Sequence, residues 1–268
     1  MRRYLISLVA LVYLATLGGV ACKSTESAEK SKATAESSES ATAEAEGGDK
    51  EGEAHQHKHE HGEQTAKHAE GHGRHHEFEH PEKYAKRWND PARDKWQKPD
   101  EVMKVLGVKP GMTVVDIGTG TGYFLPHLSK AVGKEGKVLG LDISEKMLEY
   151  VRNNTLENVP HDNVEAKLVE RTDPKLDDES VDRVMMVNTW HHVQDRVAYG
   201  KKLLAALKPG GKFADIDYTM EADQGPPKKI RLKPKEVVKE LEKAGFEAKV
   251  AEETLPKQYI VIGTKPKK

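Results

Sequence analysis

One segment limits the fold of this chain more than any other: Val114-Val115-Asp116-Ile117-Gly118-Thr119-Gly120-Thr121-Gly122, followed by a second apolar run that ends at Asp142. An apolar strand that closes on an acid and then meets glycines at alternate positions must turn sharply. Glycine lets the backbone make that turn and come close to a ligand before a helix begins. About 20 residues on, a carboxylate at the end of the next strand is placed to accept ribose hydroxyls, as in dinucleotide folds. The spacing is G-x-G-x-G with Asp116 two residues before the first glycine, which departs from the G-x-G-x-x-G of nicotinamide enzymes.

Strand and helix patterns alternate through the remainder. Strands are predicted near 113–118, 137–142, 163–170, 182–188 and 211–217, with helices near 122–132, 144–154, 195–207 and 233–244. Such alternation builds a parallel sheet covered on both faces. Ligands of open sheets bind outside the carboxyl ends of the strands. That rule puts Asp116, Asp142, Thr172, Asp173, Asn188 and Asp217 on one functional rim. Asp100 reads as an N-cap for a short amphipathic helix closed by Gly107.

The glycine segment resembles motif I of the class I S-adenosylmethionine-dependent methyltransferases, and the likeness extends over roughly residues 100 to 264. Val181 to Asn188 is similar to the family's fourth strand, Leu207-Lys208-Pro209-Gly210-Gly211-Lys212 to the turn before its fifth, and residues 246–253 and 258–264 to its closing reversed hairpin. The resemblance implies an α/β, Rossmann-like seven-stranded sheet, mostly parallel, with helices on both faces. It implies S-adenosylmethionine as cofactor, held by Asp116 at its amino group, by the loop of Gly118, Thr119, Gly120, Gly122 and Tyr123, by Asp142 at the ribose, by Asp173 near the adenine, and by Ile143, Thr172 and Asn188. The loop after strand four resembles that of ubiquinone and menaquinone C-methyltransferases, and residues 111–132 resemble isoaspartyl O-methyltransferases. Neither likeness fixes the acceptor.

Methyl transfer needs alignment and water exclusion, and a general base where the acceptor must lose a proton. His191 and His192 follow the fourth strand and are the candidate bases, with an unperturbed imidazole pKa near ~6.5. Both also read as structural residues shaping the loop. Trp190 and Tyr218 are expected on the acceptor side. In similar bacterial methyltransferases a segment like 76–99 folds over the cofactor cleft, which makes Arg93, Trp96 and Gln97 lid candidates. Equally, Tyr84, Trp88 and Trp96 read as packing anchors alone. A basic run, Lys228 to Lys235, reads either as an attractor for an acidic acceptor or as a solvated face.

The chain before residue 78 differs in kind. Residues 1–22 read as a lipoprotein-type signal, with Arg2 and Arg3, an apolar stretch, then Gly18-Gly19-Val20-Ala21-Cys22. Cys22, the single cysteine of the 268 residues, is the expected lipidation site and leaves no internal disulfide. An uncleaved anchor is the alternative, and both place the domain in a bacterial cell envelope, on the periplasmic side. Residues 23–73 hold too few large apolar side chains to fold and read as a flexible tether reaching about 40 Å. The tether and the residues just after it carry nine of the thirteen histidines. His55, His57, His59 and His61 alternate so that an extended chain can turn them onto one Zn²⁺, Ni²⁺ or Cu²⁺, or they serve only as a solvated linker. Residues 74–110 form the lid and lead-in helices, and 111–268 the methyltransferase domain. Formal net charge is -1, which gives no bulk field for nucleic acid.

Three functions fit this layout. The first is an exported, lipid-anchored methyltransferase acting on a small-molecule acceptor. The second is a binding lipoprotein that holds cofactor or ligand without turnover, and the third a metal-buffering surface lipoprotein acting through its histidines.

Overall fold

The computed structural model describes residues 79–267. The signal segment, Cys22, the tether with His55, His57, His59 and His61, and residues 74–78 of the lead-in lie outside the described residues.

Three short helices come first: α1 (Pro81–Trp88), α2 (Asp94–Gln97) and α3 (Pro99–Leu106). Alternation follows: β1 (Thr113–Ile117), α4 (Leu125–Val132), β2 (Lys137–Asp142), α5 (Glu145–Tyr150), β3 (Val164–Leu168), β4 (Val181–Val187), α6 (Arg196–Ala206), β5 (Leu207–Tyr218), α7 (Pro234–Ala244), β6 (Glu247–Val250) and β7 (Gln258–Thr264). The seven strands lie in the order β3-β2-β1-β4-β5-β7-β6. β7 alone runs antiparallel to both its neighbours, which gives the expected mostly parallel sheet with a reversed hairpin.

Strand residues face two cores by turns, because side chains alternate across a pleat. Val115, Ile117, Val184 and Met186 enter the core under α6 and α7, while Val114 and Met185 enter the core under α3 and α4. The helices begin and end on side-chain and backbone signals. Ser144 caps α5 at the Met147 amide (3.4 Å) and Asp195 caps α6 at the Ala198 amide (2.9 Å). α3 starts two residues earlier than the sequence suggests: Pro99 takes the first helical position, so Asp100 lies inside the helix and is not its cap.

The sheet order reverses direction between β1 and β4, the topological switch at which such folds open a crevice. β5 extends through Leu207 to Lys212, read from sequence as a turn, and absorbs it by a register shift opposite Val181 and Arg183. Among the described residues no helix is long and apolar enough to cross a membrane.

Candidate active site

The switch-point crevice is built by the turn after β1. Asp116 is buried at the strand end and accepts the Thr119 hydroxyl at 2.9 Å. Burial pushes its carboxyl up to about 6, against the pull of the Thr119 hydrogen bond and of Arg93. Gly118 follows with φ of 74°, and a Cβ there would come within 2.5 Å of the Thr189 side chain, so only glycine fits. Asp142, at the end of β2, accepts the Gly120 amide at 2.9 Å and the Ser144 amide at 2.9 Å. Burial raises its pKa, and these amide bonds oppose the rise.

Beside these acids lies a small cavity of about 70 Å³. Asp142 sits in its wall with the apolar side chains of Ile143, Val169, Met186 and Val193. Ile143 is 44% exposed and lines the cavity edge. A carboxylate set among apolar walls suits a nucleoside, and the second buried carboxylate, Asp116, suits an ammonium. The residues therefore fit the cofactor that the sequence implies.

The segment 81–97 lies over the glycine turn. Asn89 exchanges two hydrogen bonds with Thr121, donating to its carbonyl at 3.0 Å and accepting its hydroxyl at 2.7 Å. The Tyr123 hydroxyl donates to Asp94 at 2.5 Å, and the Trp88 ring packs against Gly120. Arg93 donates to the Trp88 carbonyl at 2.7 Å and to Gln97 at 2.9 Å, with its guanidinium 3.9 Å from the centre of the Tyr123 ring. Burial pulls that guanidinium below its usual range. Gln97 is buried and donates to Gln258, which donates to Asn188 at 2.7 Å. Asn188 closes β4 in the left-handed region, φ 54°. Trp96 lies over Tyr218 with ring centres 6.0 Å apart.

Beneath this roof the loop after β4 folds as a single 3₁₀ turn, Trp190–His192. His191 Nδ1 lies 2.5 Å from Asp217 Oδ2, and both side chains are buried. The other Asp217 oxygen accepts the Tyr218 amide at 2.7 Å. With the carboxylate as acceptor, Nδ1 carries the hydrogen. His192 stands 4.1 Å from His191, ring centre to ring centre, and lines the cofactor cavity.

Several sequence expectations need correction. Trp190 does not face an acceptor: it is fully buried against Phe213 and Tyr199, its indole N–H donating to Glu240 at 3.2 Å. Thr172 and Asp173 do not line the cavity, where Glu170 and Arg171 stand instead. The chain folds back between Glu170 and Asp173, and Asp173 turns to Lys202 at 2.8 Å and to the Lys175 amide at 2.8 Å. Gly122 backs onto Thr155 and Val151. Arg231, in the basic run, donates to four carbonyls, of Pro226, Thr219, Ala222 and Gln224, and so organises its own loop. Residues not foreseen include Gln258, Asn89, Thr121 and Asp94, whose partners lie far off in sequence and leave no local pattern. Among the described residues no group of three or more His, Cys, Asp or Glu could hold a metal ion.

Comparison with known proteins agrees with this geometry. Residues 114–211 match a family described as a methyltransferase domain. A crystal structure of an S-adenosylmethionine-dependent methyltransferase from Aquifex aeolicus is 34% identical, with a TM-score of 0.64, over 69% of this chain and 98% of that one. The demethylmenaquinone methyltransferase of Staphylococcus aureus (strain MRSA252) is 38% identical over 126 residues, 46% of this chain and 48% of that protein. The chain thus spans about half the length of the curated relatives it matches. Haemonchus contortus phosphoethanolamine N-methyltransferase 2, solved with S-adenosyl-L-methionine, shares the fold at 16% identity and a TM-score of 0.53, over 64% of this chain and 53% of that one. The chain belongs to the S-adenosylmethionine-dependent methyltransferases, and S-adenosylmethionine is its cofactor.

Proposed function

We propose that this protein methylates a small, planar, hydroxylated acceptor of the quinol type, with His191 as general base. The observation that carries the reading is the buried His191–Asp217 pair, next along β5 to Tyr218 with its Trp96 neighbour. The resemblance to demethylmenaquinone methyltransferases supports a quinone-like acceptor.

When bound, the cofactor supplies a methyl group already activated by a sulfonium. The chain's own residues do the rest. Ionised Asp116 holds the ammonium, and Asp142 accepts ribose hydroxyls. The aromatic rings position a flat acceptor, and the lid keeps water out. His191 Nε2 takes the acceptor's hydroxyl proton and leaves its electron pair on the acceptor as nucleophile. Asp217 fixes the tautomer and steadies the imidazolium that forms, in the manner of the acid behind a triad histidine. His192 belongs to the cofactor side of this scheme.

The reading extends to location: Cys22 is the lipid attachment point of an envelope-anchored protein, and the tether histidines bind divalent metal weakly. Release of a Cys22→Ser variant from the membrane fraction tests the anchor. The catalytic reading is tested with hydroquinones of increasing ring size, S-adenosylmethionine and mass detection of methylated product. His191→Gln should lower kcat at least 100-fold with cofactor Kd within twofold. An unchanged kcat would remove His191 from the base role.

A further inference from the structure

The far end of the sheet holds a cluster of cations that the reaction does not use. Arg183 at the start of β4 pairs in register with Lys212 of β5, and Lys109 and Lys249 lie close enough to act on Lys212. Arg183 is fixed by main-chain carbonyls: Nε donates to Leu106 at 2.9 Å and to Gly107 at 3.2 Å, and Nη1 to Asp182 at 2.7 Å. Its Nη2 is left pointing over Gly107. A Cβ on Gly107 would sit 3.7 Å from that Nη2 and 3.7 Å from Lys212 Nζ, so the two cationic groups converge on one notch that glycine keeps open.

Among the described residues Asp182 alone acts on Arg183, and no acid acts on Lys212. Asp182, the acid acting on Arg183, already accepts the Thr113 amide at 2.9 Å and Lys208 at 2.8 Å through one oxygen. Lys265, at the same end of the sheet, pairs with Glu179 at 3.2 Å. Among the described residues the Lys212 ammonium has neither a hydrogen-bond partner nor an ion-pair partner. Burial first, then Arg183, Lys249 and Lys109, pull Lys212 below the usual lysine range. A half-buried lysine facing three like charges lowers stability unless an anion joins it.

We propose that the notch over Gly107 binds a phosphate-type oxyanion, clasped by Arg183 Nη2 and Lys212 Nζ with Lys109 and Lys249 at its rim. A guanidinium with a free N–H beside an ammonium is the donor set that phosphate oxygens take. The site stands about 13 Å from the catalytic rim, four residues along β4. Its ligand is either a soluble phosphate or the headgroup of a phospholipid.

Titration of the full-length protein with inorganic phosphate, at ionic strength held constant with chloride, tests the site by calorimetry and thermal unfolding. Saturable binding with a rise in Tm is expected. Lys212→Met should weaken phosphate at least tenfold and raise Tm in phosphate-free buffer, because it removes a repelled cation. Lys249→Met should weaken phosphate severalfold. Vesicles of phosphatidylglycerol separate the sources: binding lost in Lys212→Met and competed by phosphate assigns a headgroup, whereas phosphate binding without such vesicle binding assigns a soluble ligand. Both outcomes uphold the site. A phosphate response equal in wild type and folded Lys212→Met, or matched by chloride alone, overturns it.

Discussion

Gln97 and Gln258, 161 residues apart, meet in a buried side-chain hydrogen bond that ties the lid to the last strand. Gln258 passes the connection to Asn188 at the end of β4. Gln258→Leu should leave the Gln97 amide buried without its acceptor, at a cost of about 1–3 kcal/mol. Thermal unfolding should report that loss, and limited proteolysis should show faster cleavage within residues 89–98. A lid as protected as in wild type would mean that the other ties suffice.

Asp116 links cofactor binding to pH. Its folded-state carboxyl titrates at about 6, so the anion that receives an ammonium is present above that value and lost below it. Cofactor Kd measured by calorimetry should rise as pH falls from 7 to 5, and Asp116→Asn should bind weakly with a flat profile. Stability of the free protein carries the opposite sign. An acid whose folded pKa is raised loses stabilisation as pH increases from its unfolded value toward 6, so Asp116→Asn should gain stability at pH 7.

In the proposed mechanism Asp217 acts on the acceptor through His191. Asp217→Asn should disturb the imidazole tautomer and lower kcat by roughly 100-fold to 10,000-fold while cofactor Kd stays within twofold.

Gly118→Ala meets two obstacles. Its φ of 74° disfavours any side chain, by roughly 1–2 kcal/mol, and the new methyl would strike Thr189. Cofactor binding should fall below detection by calorimetry. Thr189→Ala in the same chain should recover part of the lost Tm, because it relieves the clash and not the backbone strain.

Trp190→Ala should cost about 3–5 kcal/mol in unfolding free energy as a core cavity. Trp190→Phe, which keeps an aromatic ring in place, should lower Tm without raising the acceptor KM. A selective rise in KM would return Trp190 to the acceptor wall.

The architecture was legible because alternation and glycine turns are local signals. Predicted strands near 113–118 and 137–142 appear as Thr113–Ile117 and Lys137–Asp142, and the helix at 233–244 as Pro234–Ala244. The errors arise where direction depends on fine local geometry. Trp190, His191 and His192 are adjacent in sequence, Trp190 expected on the acceptor side and the histidines read as bases or as structural residues of the loop, but a 3₁₀ turn has three residues per turn and fans them apart. Trp190 goes to the core, His191 to Asp217 and His192 to the cofactor cavity. Asp173 was placed near the adenine by its position after β3, yet a two-residue fold-back sends it to Lys202. Gln258 gave no signal at all, since a lone glutamine before an apolar strand gains meaning only from Gln97.

The roof over the glycine turn is contributed by residues 81–97, whereas the segment shared with the methyltransferase family model opens at residue 114. An expression boundary drawn at that homologous segment would yield a sheet with a full set of cofactor acids and an open top. Trp88, Asn89, Arg93 and Gln97 would be gone, and with them the cover over Gly120 and the tie to Gln258. The likeness to the Aquifex aeolicus structure covers 69% of this chain, well beyond the segment 114–211 of the family model, so a working boundary belongs ahead of the roof.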